Sequence, residues 1–410
     1  MSAKSVHVDQ KRKRHPLYLG VDTPLLLTVI ALLVFGLLML YSASWGYSVQ
    51  IMGQYPSYLF QRQLRFLAGG SIVAIIAFYF DYHRIKKLVI PMMLGTLALL
   101  LLVIYFNEVR LGARRGLLQG SIQPSELAKL VVVIYLAFWM NAKKDVLHEL
   151  SFGLLPMAAI LGISSALILS QPDLSAAVTI FAIGGLMFFI GGGEMRQIIP
   201  ALIVALIIGV LLILVYSTGQ QRISDFLDGI RDPMLASDHL VRSFEAIVRG
   251  GLFGVGIGRA NTKFTGLPVA PTDSIFAVVA EETGVFGAGI VVILFILFLW
   301  RGLAIARNAP DLLGQMLAAG ITIWITLEAA INMGVMVNLL PFAGNALPFF
   351  SLGGSNLVTA LVGVGILMNV ARQTAIQNND EERRPLNAVV SLRRDDGRRR
   401  VSRPRRSTGS

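Results

Sequence analysis

Ten long stretches of predominantly apolar residues recur along this chain, and such stretches have few ways to fold. They lie at about residues 24–43, 66–82, 88–106, 125–140, 153–170, 174–191, 197–216, 274–300, 313–336 and 355–372. A helix crosses the hydrocarbon core of a bilayer with about 20 apolar residues. Inside that core only helices and closed barrels satisfy their own backbone groups. Ten such helices need about 200 apolar residues, and 55% of the 410 residues are hydrophobic. Only 15% are charged, against about 25% in soluble domains. These features exclude a soluble enzyme, a disordered chain and a coiled coil. They predict an all-α integral membrane protein of about ten transmembrane helices. The first stretch follows a basic segment, as a signal peptide's core does. Its apolar core is nearer 20 residues than the roughly 7–15 of a signal peptide, which makes it a retained span.

Lysine and arginine set the orientation. Residues 1–23 form a basic tail containing Lys11-Arg12-Lys13-Arg14, and residues 373–410 form another containing Arg398-Arg399-Arg400 and Arg405-Arg406. Charge-rich tails with few large apolar residues are expected to be disordered and to lie in the cytoplasm beside anionic headgroups. With the N-terminus inside, the inner loops carry Arg84, Lys86, Lys87, Lys143, Lys144, Arg196, Arg301 and Arg307. An even number of spans returns the C-terminus to the same side. Much of the net charge of +12 sits in these tails, so no nucleic-acid partner is expected. The absence of cysteine removes disulfides and thiolate chemistry. The five histidines lack zinc-ligand spacing. Gly254-Val255-Gly256-Ile257-Gly258 has the glycines of a nucleotide fingerprint without the strand–helix unit that frames one.

The membrane domain, residues 24–372, is expected to carry one long outer loop at about 217–273, between spans seven and eight. Long loops in compact domains are usually functional. This one holds Arg222, Arg231, Arg242, Arg249, Arg259 and Lys263, and the loop after span three holds Arg110, Arg114 and Arg115. Cations kept outside against the topological bias suit an anionic ligand, or are solvated charge that long loops tolerate. Within Gln123-Pro124-Ser125-Glu126-Leu127-Ala128-Lys129, Ser125 can cap span four and Glu126 suits the positive end of its dipole. Glu126 and Lys129 share a helical face, as a neutralising pair or as walls of a polar cavity. Asp173 in Gln171-Pro172-Asp173 reads as the cap of span six. Asp273, in Pro271-Thr272-Asp273-Ser274, sits at the start of span eight, well placed as its N-cap. Glu281, eight residues on, falls near the same face, where the two acids could hold a metal ion or a sugar hydroxyl, or pair with outer-loop arginines. Pro348 to Ser355 is too broken for a continuous helix. It reads as a re-entrant segment lining a cavity, or as an outer turn.

Taken in order, these segments resemble the SEDS family of bacterial cell-wall proteins. The resemblance rests on Gly112-Ala113-Arg114-Arg115, the 123–129 segment, Gln171-Pro172-Asp173-Leu174 and Gly250 through Gly258. It continues through Leu267-Pro268, Thr272-Asp273-Ser274-Ile275-Phe276-Ala277, Glu281-Glu282-Thr283-Gly284 and Asn332-Met333-Gly334. It ends on Leu347-Pro348-Phe349 and Ser351-Leu352-Gly353-Gly354-Ser355, and covers about residues 20–372.

The resemblance implies a ten-span peptidoglycan glycosyltransferase in the bacterial cytoplasmic membrane, polymerising lipid II at its outer face. It also implies a class B penicillin-binding protein as partner and, for the division-type members, other divisome proteins. Lys263 and the basic tails fit the division type better than the elongation type. By resemblance Asp273 is the essential acid, and Arg115 and Lys129 are family cations. The expected catalytic residue is Asp273. The expected substrate-binding residues are Arg115, Glu126, Lys129, Lys263, Glu281, Ser351 and Ser355. No cofactor is required by any motif, although a divalent cation could share the leaving-group role. Three positions depart from the family pattern: Gly116 replaces a Trp, Val269-Ala270-Pro271 replaces a run with Glu and His, and Leu352 replaces a Tyr. These departures leave room for a non-catalytic scaffold. A flippase of lipid-linked precursors is the other alternative, although transporters place polar groups nearer the midplane.

Overall fold

The computed structural model describes residues 20–105, 123–171 and 173–395, and every regular element among them is helical. Ten helices coincide with the ten apolar stretches: α1 (Thr23–Gln50), α2 (Tyr58–Tyr79), α3 (Val89–Tyr105), α4 (Pro124–Ala142), α5 (Leu155–Leu169), α6 (Leu174–Ile190), α7 (Met195–Val215), α10 (Ile275–Arg307), α11 (Leu312–Met336) and α12 (Gly354–Asp395). Two more, α8 (Ser217–Arg231) and α9 (Asp238–Gly250), lie between α7 and α10. By length and composition, α1, α4, α7, α10, α11, the first part of α12 and α5 with its preceding π-turn can cross a membrane. The helices α3 and α6 are apolar but shorter. Helix α2 has 22 residues, about 33 Å at 1.5 Å per residue.

Local chemistry sets the helix starts. Asp22, Asp173 and Asp311 cap α1, α6 and α11, each accepting a hydrogen bond from the backbone N–H three residues on. Pro24 and Pro124 stand in first turns, where a missing N–H costs nothing. Span four is an exception to its expected cap. Gln123 is the N-cap, and the Ser125 hydroxyl turns to Asp173 Oδ2 at 3.4 Å.

Burial sorts the helices. Most of α4 is buried, and α4, α11 and α12 form the centre of the bundle. Among its described side chains helix α7 buries only Gln197, and the apolar ones are largely exposed, as in a lipid-facing span. Helices α2 and α12 run against one another with Gly70 beneath Val358 and Gly365 against the Ala74 carbonyl. Small residues of this kind let helix backbones approach in a membrane. Arg301 on α10 forks onto Asp22 with contacts of 2.7 to 3.1 Å, tying α10 to the start of α1.

The segment expected as a long loop is largely folded. It holds α8, a short 3-10 turn at Pro233–Leu235 and α9 before turns occupy the stretch up to α10. Its glycine run has a structural cause. Helix α10 breaks at Gly284 (φ 69°, ψ −171°). Beside the break, Val255 and Gly256 donate to the carbonyls of Glu281 and Glu282, and Val285 and Phe286 donate to those of Gly251 and Leu252. A Cβ at Gly254 or Gly284 would strike backbone atoms of the other segment. The glycines thus let two backbones satisfy one another where a helix cannot. At the far end the backbone of α12 stays helical to Asp395, past residue 373 where the C-terminal tail is expected to start.

Candidate functional site

At the head of α10, Asp273 is half-buried and its main chain is held from two sides. Asn332 on α11 donates from Nδ2 to the Asp273 carbonyl at 2.9 Å and to the Asn345 carbonyl at 2.6 Å. Ser351 donates to the Thr272 carbonyl at 2.6 Å and accepts from the Leu347 N–H at 2.8 Å, while the Leu352 N–H reaches the Pro271 carbonyl at 2.7 Å. Gln63 on α2 completes the clamp, donating to the Ser351 carbonyl at 3.2 Å and accepting from the Gly353 N–H at 3.3 Å. The broken segment after α11 is therefore buried backbone satisfied by protein. The N-cap position of α10 belongs to Ser274, so Asp273 is not used as the cap.

Ser274 is itself anchored. Its hydroxyl donates to the Pro268 carbonyl at 2.7 Å and meets His239 Nε2 at 2.8 Å. Because the hydroxyl proton goes to Pro268, Nε2 must carry the imidazole proton. Burial pushes the His239 pKa down to about 4, which keeps the ring neutral near pH 7. The ring packs on Phe342, and Arg222 of α8 lies over the same Phe342 at 5.5 Å. Thus α8, α9 and the post-α11 segment meet beside Asp273.

A second group lies at the start of α4. Lys129 sits 2.9 Å from Glu126 and also contacts Glu328 of α11. Glu126 accepts from Asn356 of α12 at 2.9 Å, and the Gln123 N–H donates to Ser355 Oγ at 2.9 Å. Glu126, Lys129 and Glu328 are 8%, 4% and 1% exposed, so this is a buried network joining three helices.

The other expected residues hold the fold between α9 and α10. Glu281 accepts from the N–H groups of Asn261 and Thr262 and from the Thr262 hydroxyl, rather than from outer-loop arginines. Lys263 is buried against Glu282 and Ser42 of α1, at 2.7 Å from each. Arg115, with Arg110 and Arg114, lies outside the described residues.

The model of the cell cycle protein family comprising FtsW, RodA and SpoVE matches residues 23–376. The chain belongs to this family. It is 38% identical over 358 residues to a probable peptidoglycan glycosyltransferase FtsW of Geobacter sp. (strain M18), covering 86% of this chain and 97% of that one. It is 34% identical over 359 residues to stage V sporulation protein E of Bacillus subtilis (strain 168), covering 86% and 97%. Among solved structures it superposes on a chain from work on structural coordination of polymerization and crosslinking by a peptidoglycan synthase complex. That match has a TM-score of 0.71 and 26% identity, and covers 87% of this chain and 99% of that one. The rod shape determining protein RodA of Thermus thermophilus gives a TM-score of 0.64 and 26% identity over 88% and 99%.

In this FtsW/RodA/SpoVE protein the sequence singled out Glu126 and Lys129 by their helical spacing, but not Glu328, their partner from 199 residues away. An ionisable residue inside an apolar span was the available signal. Gln63 and Asn356 gave none, because a neutral amide in a helix has no periodic or charge signature.

Proposed function

We propose that the chain is a peptidoglycan glycosyltransferase that polymerises lipid II into glycan strands for septal wall synthesis. The observation that carries the reading is the half-buried Asp273 carboxylate on a backbone clamped by Asn332 and Ser351, in a chain of this family. In the reaction the acceptor sugar hydroxyl attacks the donor's anomeric carbon as the bond to the diphosphate breaks, with inversion. Asp273 takes the hydroxyl proton, and the lipid diphosphate departs with the bonding pair. A general base placed within hydrogen-bond reach typically contributes about 10²–10⁴ in rate.

Arg115 suits the leaving diphosphate, since guanidinium binds phosphate oxygens in pairs. Lys129 serves it from within its carboxylate network as a buried positive charge. Glu126, Ser351 and Ser355 shape the polar wall between Asp273 and Lys129. Lys263 and Glu281 act at one remove, by holding the segment that leads into α10. The topology that suits this chemistry has ten spans and both termini in the cytoplasm. Asp273 then faces the outer surface of the cytoplasmic membrane, where a class B penicillin-binding protein crosslinks the product and other divisome proteins assemble.

The test is lipid II polymerisation by the purified chain with its cognate class B transpeptidase. Wild type should make glycan chains. Asp273→Asn, with unchanged thermal unfolding, should lose about 10²-fold or more in rate. Equal product from both would remove Asp273 from the chemistry.

A further inference from the structure

Counting charges in the buried network leaves one unit unaccounted for. Glu126, Lys129 and Glu328 are each more than nine-tenths buried, and together they hold two acids and one cation. Glu126 has both its oxygens engaged, with Lys129 against it and Asn356 on Oε2. Glu328 differs. One oxygen contacts Lys129, and the other, Oε2, is buried with no partner among the described residues. A second orphan, Asn332 Oδ1, lies four residues along α11, on the same face. Its amide nitrogen is already committed to the Asp273 and Asn345 carbonyls, so the Asn332 oxygen can only accept. Two buried acceptors one turn apart cannot satisfy one another. A single proton converts them into a donor and an acceptor.

We propose that Glu328 carries a proton in the resting protein, which makes its group with Glu126 and Lys129 neutral and turns Glu328 into a donor toward Asn332. Glu328 is then a positioning residue: it steadies the amide that holds the Asp273 backbone, and it keeps a net negative charge away from an anionic substrate.

The groups facing Glu328 leave this assignment intact. Helix α4 contributes Lys129 and, behind it, Glu126, which Asn356 of α12 holds, and α11 contributes Trp324 and Asn332. The acids of α10 are committed elsewhere, Glu281 to Thr262 and Glu282 to Lys263, and Asp173 of α6 is held by Ser125 and Ser175. Trp324 Nε1, one turn away in the other direction, is a buried donor beside the Glu328 carboxylate. It can satisfy an oxygen of Glu328 but cannot cancel the charge. An uncompensated charge at this depth is the costlier defect.

The inference about the reaction rests on the polymerase reading, whereas the proton itself can be read without it. Infrared spectra of the purified full chain in lipid nanodiscs near pH 7 should show the carbonyl stretch of an un-ionised carboxylic acid. The band should vanish in Glu328→Gln and fade in wild type as pH rises. In polymerisation assays Glu328→Ala should lower kcat by about tenfold or more, with KM little changed near neutral pH. Glu328→Gln should restore most of that loss and abolish the alkaline decline in kcat/KM expected of wild type, because an amide donates to Asn332 at every pH. No acid band in wild type, or the same band in Glu328→Gln, would overturn the proposal. So would an unaltered alkaline limb in Glu328→Gln. If wild type made no polymer, the polymerase reading would fall while the spectra still decided the proton.

Discussion

Lys129 has 4% of its surface exposed and stands among carboxylates from two helices. Removing one partner of a buried pair leaves a charge that nothing compensates, at a cost of about 3–5 kcal/mol. Lys129→Met should therefore destabilise the protein by about that amount, and the second change Glu126→Gln should recover much of it. Thermal unfolding in detergent measures both. Equal stability of wild type and Lys129→Met would show that the ammonium is not the network's counter-charge. The pair was legible from its spacing, whereas Glu328 was not, because its partner is set by how α11 lies against α4. Lys263 is the converse: it read as a loop cation suited to a phosphate, and the fold buries it against Glu282.

Between α2 and α3 a 3-10 turn, Tyr82–Lys87, meets the turn before α11 through His83. Asp81 lies 2.7 Å from Nδ1 and Asp311 2.6 Å from Nε2, so both nitrogens serve as donors and the ring is the imidazolium. Partial burial opposes that charge, but the hydrogen bonds to Asp81 and Asp311 outweigh it and raise the His83 pKa. Burial likewise opposes ionised Asp81, and the His83 hydrogen bonds outweigh it and lower that pKa. A base with a raised folded pKa contributes fully below its unfolded value, near 6.5, and loses the contribution as pH rises through the folded value. The Asp81 contribution is present above its unfolded value of 3.8 and is lost as pH falls through the folded one. The excess thermal stability of wild type over His83→Gln should thus be full at about pH 6 and shrink on the alkaline side. An excess that grew with pH would refute the contact. At the break in α10, Gly284→Ala should be severely destabilising. Its φ is 69°, and a Cβ would meet the backbone of Leu252 and Gly254. Recovery of a folded, monodisperse protein in normal yield would contradict this.

Across the whole molecule, the α2–α12 contact connects packing to the site. Gly365 lies against the Ala74 backbone, and Gln63, further along α2, holds Ser351 and Gly353 beside Asp273. Gly365→Leu should push α2 from α12, lowering the melting temperature and also slowing polymerisation, since the clamp spans both helices. A variant that lost stability but kept the wild-type rate would separate the contact from the site. Helix α7 packs more loosely: among its described side chains it buries only Gln197, and it leads directly into α8.

The sequence by itself determined where the apolar helices run, because apolar content over about 20 residues decides whether a segment partitions into a bilayer. It also marked the Asp173 cap, the Pro and Gly breaks after α11 and the acid at the head of α10, since these act on the few residues around them. It missed the two helices inside the long connection, whose amphipathic faces do not register as apolar stretches. Only the tertiary structure decided that Glu328 completes the Lys129 network, that Asn332, Ser351 and Gln63 clamp the Asp273 segment, and that the glycine run mends a broken helix. Each joins residues far apart in the chain, and interhelical packing, which no local periodicity records, brings them together.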